Sequence, residues 1–205
     1  YGYTDFILSL GFKAQIIEKY FIKDKKISLK HLRNGLEVKK KINNKICSIK
    51  LVYTGKKTLT GGRIKLLNKH LRNGTFMCTY GDGVSNVNIK KLVKFHKKNK
   101  NLITVTAVRP PARFGEITIA NNQVSSFKEK PQVTEGWING GFFISNFNFF
   151  KFIKGNNTIL EREPLEKAAK KKQLYAFKHK GFWKCMDTLR DKDVLEKIYK
   201  NNKFN

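Results

Sequence analysis

At 205 residues with 40% hydrophobic side chains, the chain can bury one good core, and a single domain over residues 1–205 is expected. Its 43 Lys and Arg against 15 acids give a formal net charge of +28, which draws polyanions such as nucleic acid, acidic lipid or phosphorylated metabolites; the bases are scattered among Asn and Ile rather than massed in blocks, which favours a solvated surface over a designed groove. Cys47, Cys78 and Cys185 show no C-x-x-C spacing, His31, His70, His96 and His179 complete no zinc pattern, and no apolar run approaches the roughly 20 residues of a membrane span, so reduced thiols, no membrane and a cytoplasmic location are expected.

Residues 5–10 (DFILSL) form an apolar run closed by Gly11, and residues 13–21 place Ile16, Ile17, Tyr20 and Phe21 at helical spacing, which predicts a strand and then a helix. The Lys-rich stretch through Asn44 carries little pattern. Residues 46–53 (ICSIKLVY) read as a strand, Thr60-Gly61-Gly62 precedes a helical pattern through Leu71 with Ile64, Leu67 and Leu71 on one face, and residues 76–80 (FMCTY) read as a buried strand. Strand, helix, strand, helix, strand predicts a parallel first half.

Residues 89–98 form an amphipathic helix and residues 102–108 a strand stopped by Pro110 and Pro111. Three strand-like runs then follow without intervening helices, residues 116–120, 123–128 and 137–145, and antiparallel pairing is expected there. Helical segments at 147–153 and 164–172, runs at 174–179 and 182–186, and a helix over 188–199 complete the chain. The expected fold is α/β: a Rossmann-like mixed sheet, mainly parallel, with antiparallel strands elaborating one end.

Asp82, in Gly81-Asp82-Gly83 after an apolar strand, is either an Asp-Gly turn or a carboxylate placed to hold a hard cation beyond a strand's carboxyl end. Asp187 precedes the last helix; it is an N-cap or, with Asp82, the second carboxylate that Mg²⁺ takes while leaving its other positions to water and phosphates. Thr58 to Arg63 (TLTGGR) offers hydroxyls, two glycines and a guanidinium at a strand-to-helix junction, an anion-binding arrangement or a capped glycine turn, and lacks P-loop spacing. Glu129 and Lys130 end one antiparallel run, and Asn139, Gly140 and Gly141 lie within another. These suit sugar hydroxyls and a phosphate, or in the glycines' case a bulge or close packing. Glu163 before Pro164 suits a helix start.

Taken in order, TLTGGR (58–63), TYGDGV (79–84), PPARFG (110–115), FKEKP (127–131), INGGFF (138–143), EPL (163–165) and GFWKCMDTLRD (181–191) resemble the glucose-1-phosphate cytidylyltransferases, over nearly the whole chain. The resemblance implies transfer of a cytidylyl group from CTP to α-D-glucose 1-phosphate, giving CDP-glucose and pyrophosphate for dideoxysugars of surface polysaccharide such as O-antigen. It implies that Asp82 and Asp187 hold Mg²⁺ and act catalytically with Lys130. Thr58, Arg63 and Gly81 would lie against the nucleotide, and Glu129, Lys130, Asn139, Gly140 and Glu163 against the sugar phosphate, with the antiparallel elaboration over the sugar side. A homo-oligomer is also implied.

That family carries a first strand, a Gly-rich loop with an Arg, and a Lys soon after, none of which stands ahead of Tyr1 in this sequence. A chain truncated in this way is expected to turn over poorly and to aggregate, because the triphosphate loses its anchor and the sheet keeps a gap. Three other readings compete: a nucleotidylyltransferase using dTTP, UTP or GTP, a noncatalytic homologue, and a basic nucleic-acid-binding protein. The last lacks any helix-turn-helix, zinc-finger or RNP signature, so specific nucleic-acid binding is not expected.

Overall fold

The computed structural model describes residues 1–24, 26–71, 74–110, 116–128 and 136–201. In chain order the elements are β1 (Asp5–Leu10), α1 (Ala14–Ile22), β2 (Ile27–Leu32), β3 (Gly35–Ile42), β4 (Lys45–Tyr53), α2 (Thr60–Leu66), β5 (Thr75–Thr79), β6 (Gly83–Ser85) and α3 (Ile89–Asn99). They continue with β7 (Ile103–Val108), β8 (Glu116–Ala120), β9 (Gln123–Lys128), β10 (Ile138–Asn146), α4 (Glu163–Lys170), β11 (Leu174–Lys178), β12 (Trp183–Cys185) and α5 (Leu189–Lys200). Short 3-10 turns occupy Asn68–His70 and Phe147–Phe152. The chain divides into two compact units, Tyr1–Phe76 with Asn146–Gln173, and Met77–Ser145 with Leu174–Asn205.

The first unit holds a four-stranded sheet in the order β1-β4-β3-β2. β1 runs parallel to β4, with Leu8 opposite Leu51, while β4, β3 and β2 form antiparallel hairpins. Two-residue loops make those hairpins tight. Asn43 and Asn44 both adopt left-handed φ, 46° and 62°, which asparagine tolerates and which matches the twist of the flanking strands. Leu10, Ala14, Val38, Ile49 and Leu51 are buried together, and Leu8, Phe21, Ile27 and Leu36 pack against them. Burying these apolar side chains of both sheet and helix is what holds α1 on the sheet.

The second unit centres on β7, whose residues are almost all buried, in a sheet ordered β11-β7-β10-β5. β11 is parallel to β7, and β10 antiparallel to it with an irregularity between Asn139 and Phe143. α3 packs against β7 and β11. It buries Leu92 and His96, and His96 Nδ1 lies 2.9 Å from Thr104 Oγ1, so the imidazole's polar edge is satisfied inside the core. β6 pairs antiparallel with β12, and β8 with β9.

The mixed α/β fold is as expected, with two corrections. The first half is not simply parallel: residues 27–42, read as unpatterned, form an antiparallel hairpin, so of the pairings with known register only β1–β4 and β7–β11 are parallel. Lys39, Lys40 and Lys41 fall on both faces of β3, whose only fully buried residue is Val38, so the alternation that signals a strand is muted. β5 is also not a buried strand. It closes one end of its sheet and leaves Thr75, Met77 and Thr79 exposed, as an edge strand does.

Candidate active site

Asp82 stands immediately before β6, and Asp187 lies two residues beyond β12. The antiparallel register of the two strands sets Cys185 opposite Gly83, and the amide of Met186 donates to the carbonyl of Asp82 at 2.9 Å. Strand pairing thus brings together two carboxylates that are 105 positions apart in sequence (187 − 82). One ligand atom each from Asp82, Cys185 and Asp187 lie within 4.8 Å of one another. Both aspartates are exposed, so the group opens to water and to any phosphate that approaches.

The electrostatics of this corner register on the thiol. Burial pushes the Cys185 thiol up to about 11, helped by its hydrogen bond to Asp187, at 3.2 Å, and by the charges of Asp82 and Asp187. A thiol is a soft donor, whereas a hard cation such as Mg²⁺ takes oxygen ligands. Two open carboxylates that already repel a third negative charge are what Mg²⁺ prefers, so the residues present fit that ion through oxygen alone. Asp187 is followed by a firmly capped helix. Thr188 Oγ1 accepts from the Asp191 amide at 3.2 Å, and Asp191 accepts from the Thr188 amide at 3.1 Å, a capping box at the start of α5. The other Asp191 oxygen receives Lys184 Nζ at 2.7 Å, and that hydrogen bond, then the one from Thr188, lowers the Asp191 carboxyl to about 2.

Gly81 adjoins Asp82, and a Cβ placed on it would meet no atom within 4 Å, so the space beside it is open. Asn139 is exposed, its amide nitrogen donating to the Tyr80 hydroxyl at 3.2 Å and its oxygen accepting the Gly141 amide at 2.8 Å. Gly140 is buried. A Cβ there would stand 2.8 Å from Val108 Cγ1, and its carbonyl accepts Trp183 Nε1 at 2.8 Å, so close packing explains this glycine.

In the first unit, Thr58 donates to the Thr54 carbonyl at 2.6 Å. Arg63 reaches from α2 to the end of β1, donating to the Leu10 carbonyl at 3.1 Å and to Thr54 Oγ1 at 2.8 Å. Gly61 and Gly62 send their amides to the Thr158 carbonyl at 2.9 and 3.2 Å, and a Cβ on either would press on the backbone of residues 156–160. Glu163 opens α4, and its carboxylate is held by Lys167 at 2.6 Å and Lys154 at 2.9 Å; the hydrogen bonds of these two lysines keep it below the usual carboxylate range. Glu129 and Lys130 lie outside the described residues, as do residues 111–115 of the PPARFG segment.

Sequence reasoning missed Cys185, Lys184 and Asp191. The T-x-x-D spacing from Thr188 to Asp191 was a visible capping signal, but the nearness of Cys185 to Asp82 depends on a strand register that no local pattern reveals.

The nucleotidyl transferase family profile matches residues 8–194, and the chain belongs to that family. Within it, the chain is 39% identical to the glucose-1-phosphate cytidylyltransferase of Salmonella typhimurium, over 99% of this chain and 80% of that protein. It is 35% identical to the probable glucose-1-phosphate cytidylyltransferase of Bacillus subtilis, over 97% of this chain and 79% of that one. Among solved structures, HddC from Yersinia pseudotuberculosis superposes with a TM-score of 0.68 at 21% identity, covering 97% of this chain and 80% of that one. A UDP-glucose pyrophosphorylase complexed with UDP-glucose gives 0.64 at 15% identity, covering 97% and 81%. These two show the shared fold. Among the described residues, no helix is long and apolar enough to cross a membrane.

Proposed function

We propose that the protein is a sugar-1-phosphate nucleotidylyltransferase that transfers a cytidylyl group from CTP to α-D-glucose 1-phosphate. The observation that carries this reading is the carboxylate pair of Asp82 and Asp187, drawn together by the β6–β12 register in a chain with 39% identity to a glucose-1-phosphate cytidylyltransferase. A phosphate oxygen of the sugar forms a bond to the α-phosphorus of CTP while the bond to the β-phosphate oxygen breaks. CDP-glucose and pyrophosphate result. Such an in-line displacement asks the protein mainly to position the reactants and offset their charge.

In this reading Asp82 and Asp187 would hold Mg²⁺, which would supply charge neutralisation. The capping box of Thr188 and Asp191 fixes the backbone that follows Asp187, so its carboxylate is aimed without large entropic cost on binding. Gly81 leaves room for the nucleotide, and Thr58 and Arg63 are proposed as further nucleotide-binding residues. Asn139, fixed by Tyr80 and Gly141, offers its amide to sugar hydroxyls, alongside Gly140, Glu129 and Glu163, while Lys130 offsets the sugar phosphate and takes part in catalysis. The family match spans both compact units, which supports one functional domain over residues 1–205. A cytoplasmic homo-oligomer supplying CDP-glucose for dideoxysugars of surface polysaccharide is the wider role proposed.

The test is pyrophosphate release by the protein expressed from its complete gene, with glucose 1-phosphate and each of CTP, UTP, dTTP and GTP. CTP is expected to support turnover at least tenfold better than the others. Turnover with UTP or dTTP alone would contradict the cytidylyl assignment.

A further inference from the structure

The first unit carries a cleft of about 820 Å³ that none of the residues assigned above lines. Its walls come from three places: the turn from β1 into α1 (Gly11, Phe12, Lys13), the β2–β3 turn (Arg33, Asn34) and the end of β4 with the segment after it (Tyr53, Lys56). The volume falls in the ordinary range for a small-molecule site. The amide of Tyr53 donates to the Asn34 carbonyl at 2.8 Å, tying two of the three walls to each other.

Two features give the cleft a chemical preference. Lys13, Arg33 and Lys56 face it against a single acid, Glu18, and none of the three cations has an ion-pair partner among the described residues. Two large rings stand at the same place, with Phe12 65% exposed and Tyr53 48% exposed, where an apolar ring normally seeks cover. The Nζ atoms of Lys13 and Lys56 lie 5.4 and 5.7 Å from the Phe12 ring centroid, so cations and aromatic surface share one small area. Phosphate is bound by clustered cations, and a planar base stacks on an open aromatic face.

We propose that this cleft binds a nucleoside phosphate as a site additional to the Asp82–Asp187 centre, its phosphate held by Lys13, Arg33 and Lys56 beside the Phe12 ring and its base against Tyr53. The proposal does not depend on the cytidylyl reading, because its residues are separate from those assigned to catalysis. The chain's net charge of +28 would attract any nucleotide diffusely, so the test must separate a site from a field.

Equilibrium dialysis of labelled CMP against the protein, in 0.15 M salt and without divalent metal, makes that separation. Arg33→Glu with Lys56→Glu is compared with a control of equal charge change on α3, Lys97→Glu with Lys98→Glu, and all four of these residues are exposed. The cleft variant is expected to hold one CMP per chain fewer than the wild type, and the control to hold as many as the wild type. Tyr53→Ala is expected to weaken CMP binding tenfold while leaving pyrophosphate binding unchanged. Equal CMP uptake by cleft variant and wild type would overturn the proposal, as would equal loss in the control, or Tyr53→Ala binding CMP as the wild type does. Failure of turnover with CTP and glucose 1-phosphate would leave these results standing.

Discussion

Lys184 Nζ and a carboxylate oxygen of Asp191 lie 2.7 Å apart, joining β12 to the first turn of α5 just where Asp187 stands between them. Asp191 serves twice, since its second oxygen completes the capping box with Thr188. Replacing Thr188 by Ala removes the side-chain acceptor for the Asp191 amide and should cost about 1 kcal/mol of stability, with accelerated amide exchange across the first turn of α5. Denaturant unfolding and hydrogen exchange check this. Unchanged exchange at residues 189–191 would show that the cap does not hold this turn.

Arg63 crosses from α2 to the end of β1, and its guanidinium satisfies the Leu10 carbonyl and the Thr54 hydroxyl. Arg63→Met keeps much of the side chain's length and loses both hydrogen bonds, and it should destabilise the protein by about 2 kcal/mol with or without nucleotide. A variant as stable as wild type that binds CTP poorly would instead assign Arg63 to the ligand alone.

Gly62 and Gly81 separate packing from function. A methyl group on Gly62 would collide with the backbone of Asn156, so Gly62→Ala should lower the thermal midpoint by several degrees. A methyl group on Gly81 meets nothing within 4 Å, so Gly81→Ala should leave the midpoint unchanged and raise the KM for CTP tenfold or more. A wild-type KM in Gly81→Ala would remove Gly81 from the nucleotide site.

Most of the elements are legible in the sequence because their signals are local. The strands at 5–10 and 103–108 are apolar runs, and the helix at 89–99 keeps its apolar face through Leu92 and His96. The β2–β3 hairpin was hidden because its lysines and its single buried Val38 mask the alternation, although Asn34-Gly35 at its turn was a hairpin signal in plain view. In the site, Asp82 was legible as a carboxylate beyond a strand, and Asp187 as a helix cap or a second carboxylate, although the cap is Thr188. Cys185 was not, because its meeting with Asp82 comes from tertiary pairing. Arg63 was legible as a cation beside glycines, while its grip on Leu10 and Thr54 was not.

His96 gives the fold a pH dependence. Burial lowers its affinity for protons, so the unfolded chain, with an ordinary histidine near 6.5, binds a proton that the folded state resists. The sign follows: stability is full above about pH 6.5 and falls as the pH drops below it. His70 is lowered too, by burial first and then by Lys69 and Lys50, and adds to the same trend. The thermal midpoint should therefore fall between pH 7.5 and 5.5, and His96→Gln should show a shallower fall. An equal fall in both proteins would mean that His96 does not contribute.

The central claim is that Asp82 and Asp187 form one metal-dependent centre for cytidylyl transfer. Its most direct test is CDP-glucose formation from CTP and glucose 1-phosphate, followed by chromatography with and without Mg²⁺, in the protein from its complete gene and in its Asp82→Asn and Asp187→Asn variants. Wild type should make CDP-glucose only with Mg²⁺, and each variant should lose at least a hundredfold in rate while keeping the wild-type unfolding midpoint to within a few degrees. Product formed at the wild-type rate by either variant, or without Mg²⁺, would contradict the account.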